Sequence, residues 1–146
     1  MKALIDLDMN RIFNETEVAV RERADRIMQE TREEMADPHL LERRTAERSL
    51  AREQEAQRIV DTIPEIIASR IANGEQQHLL LTVSHAHVWG YNYCSARVIE
   101  ETQVKHNIAV AALVIEKCSG VDKLRVSREE YQQQGRPGGF FVRLNW

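Results

Sequence analysis

The apolar positions in the first half of the chain recur at helical spacing and form only a narrow stripe. Val20, Ala24, Ile27 and Met35 lie on one face of a helix, and charged residues of both signs surround them. This spacing is typical of an amphipathic α-helix and approaches the heptad of helices that pack on one another. Glycine is absent from residues 1–73, which also favours helix.

Three residue pairs of the type that caps a helix N-terminus divide this half into helices. The expected starts are Asn14 with Glu17, Asp37 with Pro38, and Thr62 in capping-box spacing with Glu65. Asn73 and Gly74 form the expected end of the third helix. The sequence therefore predicts a long helical arm of two or three helices, followed by a separate domain.

Residues 42–58 have the composition of a helix without a core-facing side. Their only apolar residues are Ala46, Leu50, Ala51 and Ala56. A helix of this kind has no broad face to bury in its own core. We expect it to stand in solvent or to rest on another chain. Residues 1–60 are therefore predicted to form an arm for oligomerisation or partner binding, with the domain boundary near residue 60.

After Gly74 the apolar period changes from helical to strand-like. We expect a small α-β-α-β-β-β domain over residues 61–146, with a mostly antiparallel sheet, so that the fold class is α+β. Its closing strand shows alternation, with Phe140, Val142, Leu144 and Trp146 on one face. The other expected elements are strands at 78–84, 108–115 and 124–126, a helix at 95–106 stopped by Asn107, and a polar loop at 128–139.

Charge and cysteine content exclude several classes of protein. Residues 1–73 carry 16 acidic and 12 basic side chains (net −4), and residues 74–146 carry 7 and 8 (net +1). This balance argues against a general grip on nucleic acid backbone, although a local contact is compatible with it. The two cysteines are too few for a disulfide scaffold. With no signal peptide or membrane-length apolar run visible, we expect a cytoplasmic protein, or one built into a virion in the cytoplasm.

The segment 84–94 (SHAHVWGYNYC) contains the richest candidate chemistry. If it is extended, its ring-bearing side chains project from one face and could bind nucleobases, sugars or a partner, together with a cation from the glycine-rich loop. The favoured alternative is that the aromatic rings pack over the domain core. The candidate ligand- or partner-binding residues are His85, His87, Trp89, Tyr91, Tyr93 and Arg136.

A metal site and an enzyme active site are weaker hypotheses. His85 and His87 are weak metal candidates, since a stable zinc site needs further ligands; His78, Cys94 and Cys118 are the residues available. The sequence lacks nucleotide-binding glycine loops, the GxSxG nucleophile turn and the HExxH zinc motif. We therefore expect no cofactor and no catalytic residue.

Arginine dominates the cations of the helical half, where eleven of the twelve are arginine. The guanidinium pairs with carboxylates through two hydrogen bonds, so an arm rich in Arg and Glu suits ion pairs between subunits. An ordinary exposed helix is an equally good explanation. The candidate oligomer-interface residues are Val20, Ile27, Met35, Leu41, Arg44, Arg48, Leu50 and Arg52.

The C-terminal half has a helix with Ile66, Ile67 and Ile71 that ends at Gly74, and a closing strand FVRLNW at 141–146. In these features it resembles small α+β proteins encoded by tailed bacteriophages. The resemblance implies a virion or accessory component, and no functional residue is carried over because such proteins share no catalytic motif. The segment 84–94 and the loop 128–139 depart from that pattern.

These observations predict a non-enzymatic structural or assembly protein that self-associates or docks a partner through its charged arm. A ligand- or nucleic-acid-binding module using the 85–93 face is the first alternative. A metal-dependent enzyme at His85 and His87 is the second.

Overall fold

The computed structural model describes residues 7–84, 93–133 and 136–146. Within them, a long helical N-terminal part precedes a three-stranded antiparallel sheet, which confirms the predicted α+β class. The elements are α1 Met9–Ala36, α2 Pro38–Asp61, α3 Ile63–Ala72, β1 Gln77–Ser84, α4 Tyr93–Cys118, β2 Arg125–Gln133 and β3 Arg136–Asn145.

The first helix begins earlier than its apolar stripe suggested. The Asp8 carboxylate accepts a hydrogen bond from the Arg11 backbone N–H at 3.1 Å and caps α1 at Met9. The predicted start at Asn14 is therefore wrong, because Asp8 offers an equivalent cap one and a half turns upstream. The Asp8 side chain is short and anionic, so it both bonds a free backbone amide and complements the positive end of the helix dipole.

The predicted start of α2 is confirmed, whereas the predicted side-chain cap of α3 is wrong. Asp37 accepts hydrogen bonds from the backbone N–H groups of His39 and Leu40, so the helix restarts at Pro38. Thr62 precedes α3 as expected but makes no side-chain cap bond. Its hydroxyl instead donates to the Ile59 carbonyl at 2.6 Å. The hydroxyl is thus bonded to the end of α2 and does not cap α3.

The end of α3 at Asn73 and Gly74 is confirmed. Gly74 adopts φ +74°, a left-handed conformation that suits glycine. Its N–H donates to the Ile71 carbonyl, and the Glu75 N–H donates to the Arg70 carbonyl, both at 2.9 Å. This pair of bonds satisfies carbonyls at the helix end and turns the chain into β1.

The predicted strand at 108–115 is wrong, since α4 continues through it to Cys118. Ile108, Ala111 and Ile115 pack in one apolar cluster with Phe140 and Val142 of the sheet. Val110, Val114 and Cys118 lie in a second cluster with Ala56, Ile63 and Leu144. Because the helix buries two faces, its sequence is a continuous apolar run, and such a run does not distinguish a helix from a buried strand.

The predicted loop at 128–139 is also wrong, because most of it forms a hairpin with the closing strand. The sheet order is β1-β3-β2, and both pairings are antiparallel. On β3, Phe140, Val142 and Leu144 are buried, as the alternation predicted. Strand β2 is stabilised by cross-strand pairs with β3. A polar composition predicted a loop there because composition alone does not detect such pairs.

The chain divides into two compact units. The first comprises residues 1–41 and 87–102, and the second comprises residues 42–86 and 103–146. The predicted boundary at residue 60 falls inside the second unit, which also contains the sheet. That unit includes both apolar clusters described above.

The prediction that residues 42–58 find no packing within their own chain is wrong for their C-terminal part. Residues 45–51 are exposed. Ala56, however, has no solvent exposure and lies in the apolar cluster with Val114 and Leu144, beside Ile59. A single small residue is enough for close helix packing, which a count of large apolar residues misses. Among the described residues, no helix is long and apolar enough to cross a membrane.

Candidate interaction surfaces

Large apolar side chains remain exposed on the first unit. Six of them, in and around α1 and at the start of α2, keep between 43% and 81% of their surface in solvent. We call this set the arm surface. It consists of Leu7, Met9, Phe13, Val18, Met35 and Leu41.

Two residues of the arm surface, Met9 and Phe13, continue a stripe that is buried further along α1. Met9, Phe13, Val20, Ala24 and Ile27 share one helical face by their spacing. Ala24 is fully buried, and Val20 and Ile27 are half-buried, whereas Met9 and Phe13 are about half exposed. In the N-terminal third of the stripe, Met9 and Phe13 therefore keep about half of their surface in solvent.

Two ion pairs lie on α1 outside this stripe. Arg11 bonds Glu15 at 2.9 Å, and Arg21 bonds Glu17 at 3.3 Å, each pair one helical turn apart. Exposed pairs of this kind contribute little to stability, about 0.3–0.5 kcal/mol each. Glu17 and Arg21 lie beside the stripe by their spacing, and Arg11 and Glu15 lie on the opposite face; each pair is neutral overall and does not repel a second helix of the same composition.

The predicted interface residues are divided between the two units. Those up to residue 41 belong to the first unit, and those from residue 44 onward to the second. Met35, Leu41, Arg48 and Leu50 are exposed, while Val20, Ile27, Arg44 and Arg52 are half-buried. The Arg52 Nε atom is buried without a hydrogen-bond partner in the described part of the chain.

A second candidate site, not anticipated from the sequence, lies where α3 turns into β1. The Arg70 guanidinium donates from Nε to His78 Nδ1 at 3.0 Å and bonds Glu75 through Nη1 at 2.6 Å. Arg70 and His78 line two adjoining depressions, of about 510 and 460 Å³. Arg143 and Gln77, which bond each other at 3.0 Å, close the first depression. The turn at Gly74 brings these side chains together, and no sequence motif indicates that they meet.

The electrostatics of this site keep His78 neutral. Burial lowers the pKa of the imidazole below its ordinary value of 6.5, and the Arg70 charge lowers it further; Glu75 acts in the opposite direction. Because Nδ1 accepts from Arg70, the neutral ring carries its proton on Nε2. The site therefore offers neutral and cationic hydrogen-bond donors. The Nδ1 lone pair is engaged by Arg70, so the groups that the site presents are hydrogen-bond donors, as on a polar contact surface.

The residues predicted to form a His/aromatic face fall largely outside the described residues. This applies to His85, His87, Trp89 and Tyr91 entirely. Tyr93 is the first residue of α4 and Arg136 the first of β3, each described by its backbone alone. The ligand-binding alternative and the metal hypothesis at His85 and His87 stay predictions.

Of the additional ligands considered for a metal, Cys94 is described by its backbone alone, and His78 and Cys118 lie in different surroundings. His78 bonds Arg70, and Cys118 is buried among apolar side chains of the core, where burial raises the pKa of its thiol. Among the described residues, no group of three His, Cys, Asp or Glu side chains is arranged to hold a metal ion.

Comparison with known proteins does not assign the chain to a family. No protein-family model, no curated protein and no solved structure matches it. The resemblance to bacteriophage proteins therefore stays a prediction.

Proposed function

We propose that this protein is a non-enzymatic assembly protein that self-associates through the arm surface. The observation that supports it is the exposure of six large apolar side chains between Leu7 and Leu41. Scattered exposed apolar residues are ordinary on a soluble protein, but neighbouring ones that prolong a buried helical stripe are typical of an interaction site. Met9 and Phe13, one turn apart on the α1 stripe, are the centre of the proposed site, whereas Val18 lies on the opposite face of the helix.

The partner that fits this surface best is a second copy of the chain. Helix α1 contains five arginines and seven acidic residues distributed along its length. A strongly basic or acidic partner would leave many of these charges unpaired, whereas another α1 has the same mixture and supplies both signs. The near-heptad spacing of the stripe also suits packing against an identical helix.

The finer assignment to a virion is part of this proposal. It is supported by the resemblance of the closing strand and of α3 to small bacteriophage proteins. A virion component is a protein that must self-associate or dock, which agrees with an exposed apolar stripe on a helical arm.

Light scattering coupled to size-exclusion chromatography tests the proposal on the full chain. We expect a mass above that of the 16.9 kDa monomer, and a shift toward the monomer in the Met9→Gln/Phe13→Gln variant. Ile71→Gln is the matched control, because Ile71 is 60% exposed on α3 and lies outside the arm surface. A strict monomer at high concentration, or equal effects of the variant and its control, would exclude the proposal.

A further inference from the structure

Strand β2 lies at one edge of the sheet. The order β1-β3-β2 gives it a partner on one side only, and no other described residue pairs with its outer edge. An edge strand presents a row of free backbone N–H and C=O groups that can pair with another strand. Arg125, Arg128, Glu129 and Glu130 are exposed along this edge.

We propose that β2 pairs antiparallel with β2 of a second copy, around a two-fold axis at Ser127. The two sheets then form one continuous six-stranded sheet. This interface lies on the sheet edge and shares no residue with the arm surface. It holds equally if the arm has a different partner.

The charges of β2 are self-complementary in this register. In an antiparallel pair centred on Ser127, Arg125 lies opposite Glu129 of the partner copy, and the symmetric pair repeats this contact. Val126 lies opposite Arg128 of the partner copy, whose aliphatic stem can cover it. Two ion pairs form, and no like charges face each other.

Other two-fold registers lack this property. Centring the pair on Arg125, Arg128, Glu129 or Glu130 places each of these charges against its own copy. Centring it on Val126 or Tyr131 brings no opposite charges of the strand together. Charged residues on an edge strand generally oppose pairing with other strands. Because the register centred on Ser127 pairs opposite charges, the edge of β2 favours a second copy of itself over an unrelated strand.

The chain already positions the carboxylate that this register uses. Glu129 bonds the Arg143 Nε atom at 3.0 Å across the β2–β3 ladder. A carboxylate has two oxygens and about four acceptor positions, so it can accept from a second guanidinium at the same time. Arg125 lies on the same face of β2 as Glu129, four residues away, as the contact requires.

Cysteine crosslinking on the full chain tests the register. In a Cys94→Ser background, Ser127→Cys places two thiols directly opposite each other at the axis, about 4.5–5.5 Å apart between Cα atoms. This spacing suits a disulfide, so we expect a covalent dimer under mild oxidation. Gln132→Cys is the control. It lies five residues from the axis, about 33 Å from its own copy, and should stay uncrosslinked.

Charge exchange provides an independent test. Arg125→Glu alone and Glu129→Arg alone should each weaken sheet-edge association about tenfold or more, and an equimolar mixture of the two should restore it, since opposite charges then face each other again. Both tests are made in the Met9→Gln/Phe13→Gln background, so that arm contacts do not contribute. Equal crosslinking of the two cysteine variants, or no rescue in the mixture, would overturn the proposal.

Discussion

Glu55 on α2 bonds the Nε2 atom of His106 on α4, 51 residues further along the chain. A second contact between the same two helices joins Glu53 to Lys117. Residues 42–58 were expected to find their partners outside their own chain, and these contacts show that their C-terminal part does not. The assembly proposal therefore depends on α1, whose exposed apolar residues belong to the other compact unit.

Replacing Ala56 by leucine should destabilise the fold. Ala56 has no solvent exposure and lies among apolar residues of α4 and the sheet. A larger side chain has no space there, and overpacking of this kind costs about 1–3 kcal/mol of unfolding free energy. Urea unfolding measures it. Ala51→Leu, on the same helix but exposed, should stay within about 0.5 kcal/mol of the parent protein. Equal losses at both positions would show that α2 does not pack at Ala56.

The sequence predicted those features of the fold that depend on local chemistry. Asp37 with Pro38 restarts a helix because the carboxylate bonds free amides, and Gly74 ends one because it tolerates positive φ. The alternation from Phe140 to Leu144 likewise predicted the closing strand, which the structure places at the centre of the sheet. Each of these patterns involves only residues that are close together in the sequence, so it can be recognised without knowing the tertiary contacts.

Features that depend on distant neighbours could not be predicted in this way. The apolar run at 108–115 is helical because two separate clusters cover it, and polar β2 is a strand because β3 pairs with it. The Arg70–His78 contact joins a helix end to a strand across a turn, and no motif indicates it. The arm surface was predicted in part: Met35 and Leu41 are exposed, whereas Met9 and Phe13 were not among the expected interface residues.

Gly139 should not tolerate a side chain. Its φ is +139°, and an added Cβ would lie 2.0 Å from the Val83 carbonyl oxygen, a backbone atom on the neighbouring strand. We expect Gly139→Ala to destabilise the protein by about 1–3 kcal/mol or more, since strain and a displaced strand add together. Thermal unfolding measures the loss. Gly120→Ala is the control, because no atom lies within 4 Å of a Cβ there. Similar melting temperatures for the two variants would contradict the prediction.

His78 should make the stability depend on pH in a defined direction. Burial and Arg70 hold its pKa in the folded state below 6.5, so the unfolded chain takes up the proton first as the pH falls. The contribution of His78 is therefore complete above pH 6.5 and is lost as the pH drops through its folded pKa. Urea unfolding at several pH values between about 7.5 and 5 measures this loss.

The control for this experiment is His78→Gln, which cannot titrate in that range. Other groups contribute to the pH dependence of both proteins, so the difference between the two curves isolates His78. The parent protein should lose more unfolding free energy than the variant as the pH falls below 6.5. Parallel curves would mean that Arg70 and burial do not act on this imidazole.

The stacked pair on the outer face of the sheet should couple β2 to β3 energetically. The Tyr131 and Phe141 rings lie with centroids 4.6 Å apart and planes inclined by 20°. Aromatic pairs contribute about 0.5–1.5 kcal/mol beyond the area they bury, so a double-mutant cycle of Tyr131→Ala and Phe141→Ala should give a coupling in this range. The pair Tyr131→Ala and Val121→Ala is the comparison, since Val121 lies in the turn before β2, and it should show additive effects. Additive effects of Tyr131→Ala and Phe141→Ala would mean that the stacked rings add nothing to the pairing of β2 with β3 beyond the area that each ring buries.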